Sequence, residues 1–426
     1  MILRRIAGLM LLMAAIEICD AADLRYSARM RVTDESNPNH LLTAGNNETS
    51  DSLYGQVEYT LNGYEVNMRL LGSMDITNYR SEDIPDTTAA QLNTDVLWIV
   101  SPSRFELYMG DIYMQTTVDS TSNITPGNQQ NINASSAGPN YMIRLDKRGG
   151  LLLQARINDY YYENVDTDNN RFIGVSRFDY DVSSTISAAT GYEYTVISYD
   201  NNINNIDYVR SDLYVSMNHH KSFYELDTLA GATSINRDRV ADLSEPRFSL
   251  SILNKRSWTT DIRIAYLNDI SDASNDIFSI NTHIAQSGNI LLSSISNLYK
   301  RKMTAFNITK AFSLGQILVS WREISANYYD EDTLDQTINR LSFVYEFNLS
   351  PRSRLATNIS SQETEYTNRL IPRTDNDSLI SVNYSYLVSR HINLNVFAES
   401  NSRDSTLVTG NYDNNRIMLS LEYVSN

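Results

Sequence analysis

The chain has 426 residues and a formal charge of −16 from 35 basic and 51 acidic side chains, which argues against nucleic acid as a partner. Hydrophobic residues make up 42% and the mean hydropathy is −0.36, values of an ordinary water-soluble chain. Beyond the first residues no apolar run reaches the roughly 18 residues of a membrane-crossing helix. The arrangement of the residues points elsewhere.

The chain opens MILRRIAGLMLLMAAIEICDAAD. Arg4 and Arg5 precede an apolar stretch from Ile6 to Ile18, and small residues follow at Ala21 and Ala22. This is the pattern of a secretory signal peptide over residues 1–21, cleaved after Ala21. Lipidation at Cys19 is the alternative, but IEIC lacks the small residues expected before a lipidated cysteine. Cys19 is the single cysteine, so the mature chain is expected to carry no disulfide.

From residue 22 onward, apolar and polar residues alternate with a period of two. DLRYSARMRV sets Leu24, Tyr26, Ala28, Met30 and Val32 on one face and Arg25, Ser27, Arg29 and Arg31 on the other. NTDVLWIV, WTTDIRIAY, NRLSFVYEF and the closing RIMLSLEYVSN repeat the pattern. Such alternation marks half-buried strands, and helical spacing is scarce. The connections alternate too. Long ones, such as TTVDSTSNITPGNQQNINASS and SNSRDSTLVTGNYDNN, are rich in Asp, Asn, Ser and Thr. Short ones, such as LNG, SPSR, DKRGG, VSST, NHHKS, QSGN and SPRS, fall between them. A modest loop around NLYKRK breaks the rhythm.

Alternating strands with short and long connections in turn predict an all-β fold over residues 22–426, a transmembrane antiparallel up-and-down β-barrel. Lipid demands internal pairing of every backbone group, which strands achieve only by closing. The count comes to about 22 strands, with 18–22 as its range, and an even number puts both termini at the short-turn side. A soluble sandwich of this length would split into linked domains, and a solenoid would show a fixed period. Strand 1 follows the cleavage site closely, so no plug domain is expected. The implied setting is the bacterial outer membrane with termini in the periplasm. Outer-membrane lipid, lipopolysaccharide and the barrel-assembly machinery are the implied partners.

If the apolar face meets lipid, the other face lines a lumen. It collects Arg25, Arg29, Arg31, Arg69, Arg144, Arg156, Arg210, Arg263, Arg322, Arg340 and Arg416, with Glu58, Asp95, Glu106, Asp212, Asp261, Glu346 and Glu422. Guanidinium groups in a wet pore attract anions and bind carboxylates in a bidentate manner. The plainer reading is that they pair with neighbouring carboxylates and fill a polar interior. Tyrosine is abundant, 28 residues against 11 Phe and 3 Trp. Tyr26, Tyr59, Tyr64, Tyr141, Tyr180, Tyr266, Tyr345 and Tyr423 fit an interfacial girdle. DYYYEN turns tyrosine to both faces, so Tyr160 and Tyr162 are candidates for stacking on sugar rings inside. DTDNN (166–170) resembles the start of a calcium loop but lacks its Gly and terminal Glu. The five histidines show no ligand spacing, and GxSxG, HExxH and phosphate-loop patterns are missing. No metal, cofactor or enzymatic activity is expected.

The stretch NQQNINASSAGPNYMIRLDKRGGLLLQARINDYYYEN resembles the outer-membrane β-barrel family associated with PEP-CTERM/exosortase exopolysaccharide systems. Asn131, Gly138, Pro139 and Asn140 match its first element, and Ala155, Arg156, Tyr161, Tyr162 and Glu163 its second; VSPS and LSPR match its turns. The match is best over about residues 100–200. The resemblance implies a passive conduit with polysaccharide cargo and brings no catalytic residues. A general diffusion porin for small polar solutes and a non-conducting scaffold for surface assembly are the other readings.

Overall fold

The computed structural model describes residues 22–38, 40, 47–81, 84–118, 128–201, 205–257, 259–272, 274, 297–369, 371–407 and 410–425. The signal-peptide expectation lies outside them. The first strands are β1 (Ala22–Glu35), β2 (Glu48–Asn62), β3 (Val66–Tyr79), β4 (Thr87–Ser101), β5 (Phe105–Thr117), β6 (Gln129–Arg144) and β7 (Gly149–Tyr162). Next come β8 (Asn169–Asp181), β9 (Ile186–Tyr199), β10 (Tyr208–Lys221), β11 (Tyr224–Arg237), β12 (Leu243–Ser257) and β13 (Thr260–Ser271). The last are β14 (Tyr299–Phe312), β15 (Gly315–Tyr328), β16 (Gln336–Ser350), β17 (Ser353–Tyr366), β18 (Arg373–Leu387), β19 (Ile392–Ser405) and β20 (Tyr412–Val424).

Each strand pairs antiparallel with the next, and β1 pairs with β20 from Ser27↔Val424 to Glu35↔Arg416, closing one 20-stranded barrel. Closure leaves no sheet edge, as a lipid environment requires. The count falls within the expected 18–22, two strands below the central value of 22. β13 and β14 pair directly from Thr260↔Lys310 to Ser271↔Tyr299, so no further strands can stand between them. The two further strands and the QSGN turn that the sequence predicts fall between Ser274 and Asn297, outside the described residues.

Two of the short turns contain proline. At Pro102 and Pro351 the ladder slips by one residue, between Ile99 and Ser101 and between Asn348 and Ser350. In VSST the Ser183 hydroxyl accepts from the Thr185 and Ile186 amides and holds the corner without proline.

The outward faces fix the membrane position. Tyr423, Leu421, Leu419 and Ile417 on β20 give way to Asn415, and Tyr386, Tyr384, Val382 and Ile380 on β18 give way to Ser378. The apolar band therefore begins at the short-turn rim and stops well before the long-loop rim. Outward aromatics ring the short-turn side, in pairs such as Tyr26–Tyr423 at 6.1 Å, Phe105–Tyr141 at 6.4 Å and Phe312–Tyr345 at 6.2 Å. Such a girdle sits at headgroup level. Exposed Leu145, Val182, Leu314 and Val388 continue the band into the turns themselves.

The long-loop rim is closed by a recurring device. Tyr79, Tyr162, Tyr199 and Tyr328 each end a strand, and their amides donate to Asp86, Asp168, Asp207 and Asp335 at 3.0, 2.7, 2.8 and 2.6 Å. Each carboxylate lies at the base of the same loop, tying the outgoing strand to the returning one.

Candidate functional site: the lumen

Twenty strands spaced about 4.8 Å apart and tilted about 40° close a cylinder about 40 Å across. Inward side chains cannot meet across that width, so the interior must be filled by loops or by water. The lumen is therefore the place to look for function, and alternation puts every predicted arginine on its wall.

Several of those arginines are paired. Arg25 meets Asp23 at 2.6 Å, Arg29 meets Glu422 at 2.6 Å, and Arg69 reaches Glu58 at 3.9 Å. Arg31 spans β2 to bind Asp75 and the Ser52 hydroxyl. Arg210 donates through Nε to Asp212 at 2.6 Å, and Arg416 meets Glu399 at 2.8 Å. For these six, the plainer reading of a self-neutralised interior holds. Among the described residues no carboxylate lies within ion-pair distance of Arg144, Arg156, Arg263 or Arg340. Arg322 and Arg340 stand directly opposite each other on β15 and β16, two like charges side by side on the wall.

Arg156 explains the motif behind the family resemblance. Its guanidinium lies 4.9 Å from the Tyr108 ring and donates to the Pro139 carbonyl at 3.0 Å and to the Asn140 amide oxygen. Tyr108 in turn donates to Asp95 at 2.7 Å. Asn131 donates from its backbone and its side chain to Glu163 at 3.0 and 2.7 Å. The two motif elements thus clasp each other across β6 and β7. The pairing skips Gly138 and Pro139, running from Ala137↔Ile157 to Asn140↔Gln154. A Cβ on Gly138 would lie 2.0 Å from the Ala155 carbonyl, so only glycine allows that approach.

One side of the lumen is occupied. After β13 the chain turns inward, and Asp272 accepts from Arg171 Nη2 at 2.8 Å, Arg171 Nη1 at 3.2 Å and the Tyr208 hydroxyl at 2.7 Å. The side chains of Arg171 and Asp272 are 4% and 2% exposed. Arg210 Nη1 donates to the Ile270 carbonyl at 2.8 Å, and the Ser274 hydroxyl contacts Tyr162 at 2.8 Å and Asn169 at 3.2 Å. Ile270 is fully buried among Ile197, Tyr199, Tyr208 and Ile235. Residues 270–272 and Ser274 are therefore pinned to the wall from β7 to β11 by polar bonds and an apolar cluster together.

Tyr160 and Tyr162 do point inward, but the stacking role assigned to them does not survive. They are 3% and 4% exposed, packed with Ile112, Ile132 and Ala134, and Arg171 covers the Tyr160 ring at 4.8 Å. The protein itself uses those ring faces. Tyr162 belongs to a wider set that sequence reasoning missed. Tyr162, Tyr199, Tyr208, Tyr299, Tyr328, Tyr366 and Tyr412 are buried, and each is the strand residue nearest a long loop. Arg373 lies 5.0 Å from the Tyr366 ring and Arg403 5.6 Å from Tyr412. The signal was present as a tyrosine at the strand end followed six to eight residues later by Asp, in four loops. Arg171 and Asp272 had no comparable signal, because loop position alone cannot show that a segment folds inward.

In DTDNN, Asp166 accepts from Asn201 and Asp168 from the Tyr162 amide. Burial and the neighbouring Asp200, Asp166 and Asp159 hold the Asp168 carboxyl above its usual range. Among the described residues, no group of three or more His, Cys, Asp or Glu is arranged to hold a metal.

No protein-family model and no curated protein matches the sequence. Solved structures do match. The ferric enterobactin receptor PfeA in complex with BCV-L6 aligns over 94% of this chain and 81% of its own, with a TM-score of 0.50 and 8% identity. The fold is that of a bacterial outer-membrane β-barrel. The siderophore receptor PirA from Pseudomonas aeruginosa aligns over 94% and 80% with a TM-score of 0.48 and 9% identity. OccAB4 from Acinetobacter baumannii aligns over 95% and 98% with a TM-score of 0.44 and 8% identity. At such identities the likeness is one of architecture alone.

Proposed function

We propose that this barrel is a passive conduit for polar solute across the outer membrane, serving exopolysaccharide export, with both termini and the short turns in the periplasm. One observation carries the reading: the closed barrel is apolar outside, polar inside, and too wide for its own side chains to fill. The polysaccharide association comes from the family resemblance of the stretch that holds Asn131, Asn140, Arg156 and Glu163. Transport needs no covalent step, only attraction into the lumen and exchange of hydrogen bonds along it.

A general diffusion porin would share this architecture, and a non-conducting scaffold is favoured by the pinning of residues 270–272 and Ser274. Planar-bilayer recording separates them: reconstituted protein is expected to conduct, and silence would sink both pore readings. A unit charge about 10 Å from a passing ion in water is worth about 0.4 kcal/mol, about twofold in occupancy. Arg340→Glu should therefore move the anion-to-cation permeability ratio by at least that factor, since it reverses the charge. If the ratio is unchanged, the arginine wall is structural. Loss of surface polysaccharide in a deletion strain, with uptake of small neutral solutes intact, would favour export over diffusion.

A further inference from the structure

The lumen wall differs around its circumference. From β7 to β11 it carries buried ion pairs, apolar clusters and the inserted segment. Ten strands on, half the circumference away, the inward columns of β17 and β18 are uncharged at mid-height, and β19 beside them carries Phe397 and Glu399, the latter neutralised by Arg416 at 2.8 Å. Their polar groups are Asn358 and Ser360 on β17, Ser381, Asn383 and Ser385 on β18 and Asn395 on β19, with Ala356 and Leu379 as apolar members of the same face. The registers Asn358↔Ser381 and Ser385↔Asn395 place these residues in adjoining rows of one face. All but Ser381 keep part of their surface open. The Asn383 amide donates to Ser385 at 3.4 Å and the Asn395 amide to Ser420 at 3.5 Å, long bonds that a stronger acceptor would displace.

Charge within and beside this strip is neutralised, Glu399 by Arg416 in its middle. Arg354 pairs with Glu346 at the short-turn end. Toward the long loops, Arg373 bonds Asp375 at 2.6 Å and Arg403 bonds Asp377 at 2.7 Å. A charged solute would lose hydration along the strip without gaining a counter-charge. An uncharged polyhydroxyl solute would not, because amides and hydroxyls both donate and accept, as its own groups do.

We infer that the β17–β19 strip is the contact track of the conduit and that it takes neutral carbohydrate. This deepens the conduit reading and rests on it. The test is single-channel recording of the full-length barrel with maltohexaose as the neutral probe and hexagalacturonate as the charged one. Maltohexaose should interrupt the wild-type current more readily than hexagalacturonate does. Asn358→Leu with Asn383→Leu removes amides without adding charge. It should raise the half-blocking maltohexaose concentration at least about fivefold, the loss of one or two hydrogen bonds, with salt conductance kept within about twofold. Asn383→Ala alone gives the same direction with less demand on folding, and heat-modifiable gel mobility confirms that either variant is folded. Current that maltohexaose never interrupts, equal block in wild type and variants, or stronger block by hexagalacturonate would overturn the track while leaving a conduit. Absence of any current would overturn the conduit itself and this inference with it.

Discussion

Asp272→Asn is the most informative single change. Asp272 is the sole carboxylate bonded to Arg171 among the described residues, and both side chains are withdrawn from water. The amide keeps the shape and an acceptor for the Tyr208 hydroxyl, but it leaves the guanidinium without its counter-charge. Breaking one partner of a buried ion pair typically costs about 3–5 kcal/mol, more than enough to change the population of a locally pinned segment by about a hundredfold. The barrel ladders do not depend on this pair, so the cost should appear locally. Amide hydrogen exchange in detergent micelles reads it. Amides from Asn268 to Asp272 should exchange about a hundredfold faster or more in the variant, with β17–β19 unchanged. Arg171→Met with Asp272→Leu removes both charges and should be the milder lesion. If the single variant exchanges like wild type, or the double variant is the worse of the two, the pair is not what pins the segment.

Two further outcomes follow from the geometry. Gly138→Ala puts a Cβ 2.0 Å from the Ala155 carbonyl, whereas at Gly150 the nearest contact is 3.4 Å. Forced backbone shifts of this kind cost about 1–3 kcal/mol, so Gly138→Ala should lower the heat-modification temperature on gels and Gly150→Ala should hardly move it; equal temperatures would refute the close approach. His40, in the first long loop, stacks on Tyr412 at 4.3 Å, and burial lowers its imidazole below the usual value of 6.5. A lowered histidine supports the fold while neutral, so its contribution is present above about pH 6.5 and fades as pH falls below that value. Protection factors at residues 36–38, which remove the intrinsic pH dependence of exchange, should fall between pH 7.5 and 5.5 in wild type and lose that dependence in His40→Gln; identical profiles would dismiss the stacking contact as the cause.

Period-two alternation by itself determined the barrel, the sidedness of the connections and the wall on which each arginine stands. These follow from local backbone geometry, since a strand sends successive side chains to opposite faces and lipid accepts only one kind. The count of strands, the inward turn of residues 270–272 and the fate of Tyr160 and Tyr162 were decided only by tertiary structure. Each depends on which distant groups meet. Asp272 finds Arg171 about a hundred residues away, β13 finds β14 with no strand between, and the two tyrosines find an apolar cluster built from three strands. Alternation carries no information about such meetings, because their energy comes from burial and charge pairing across the closed barrel.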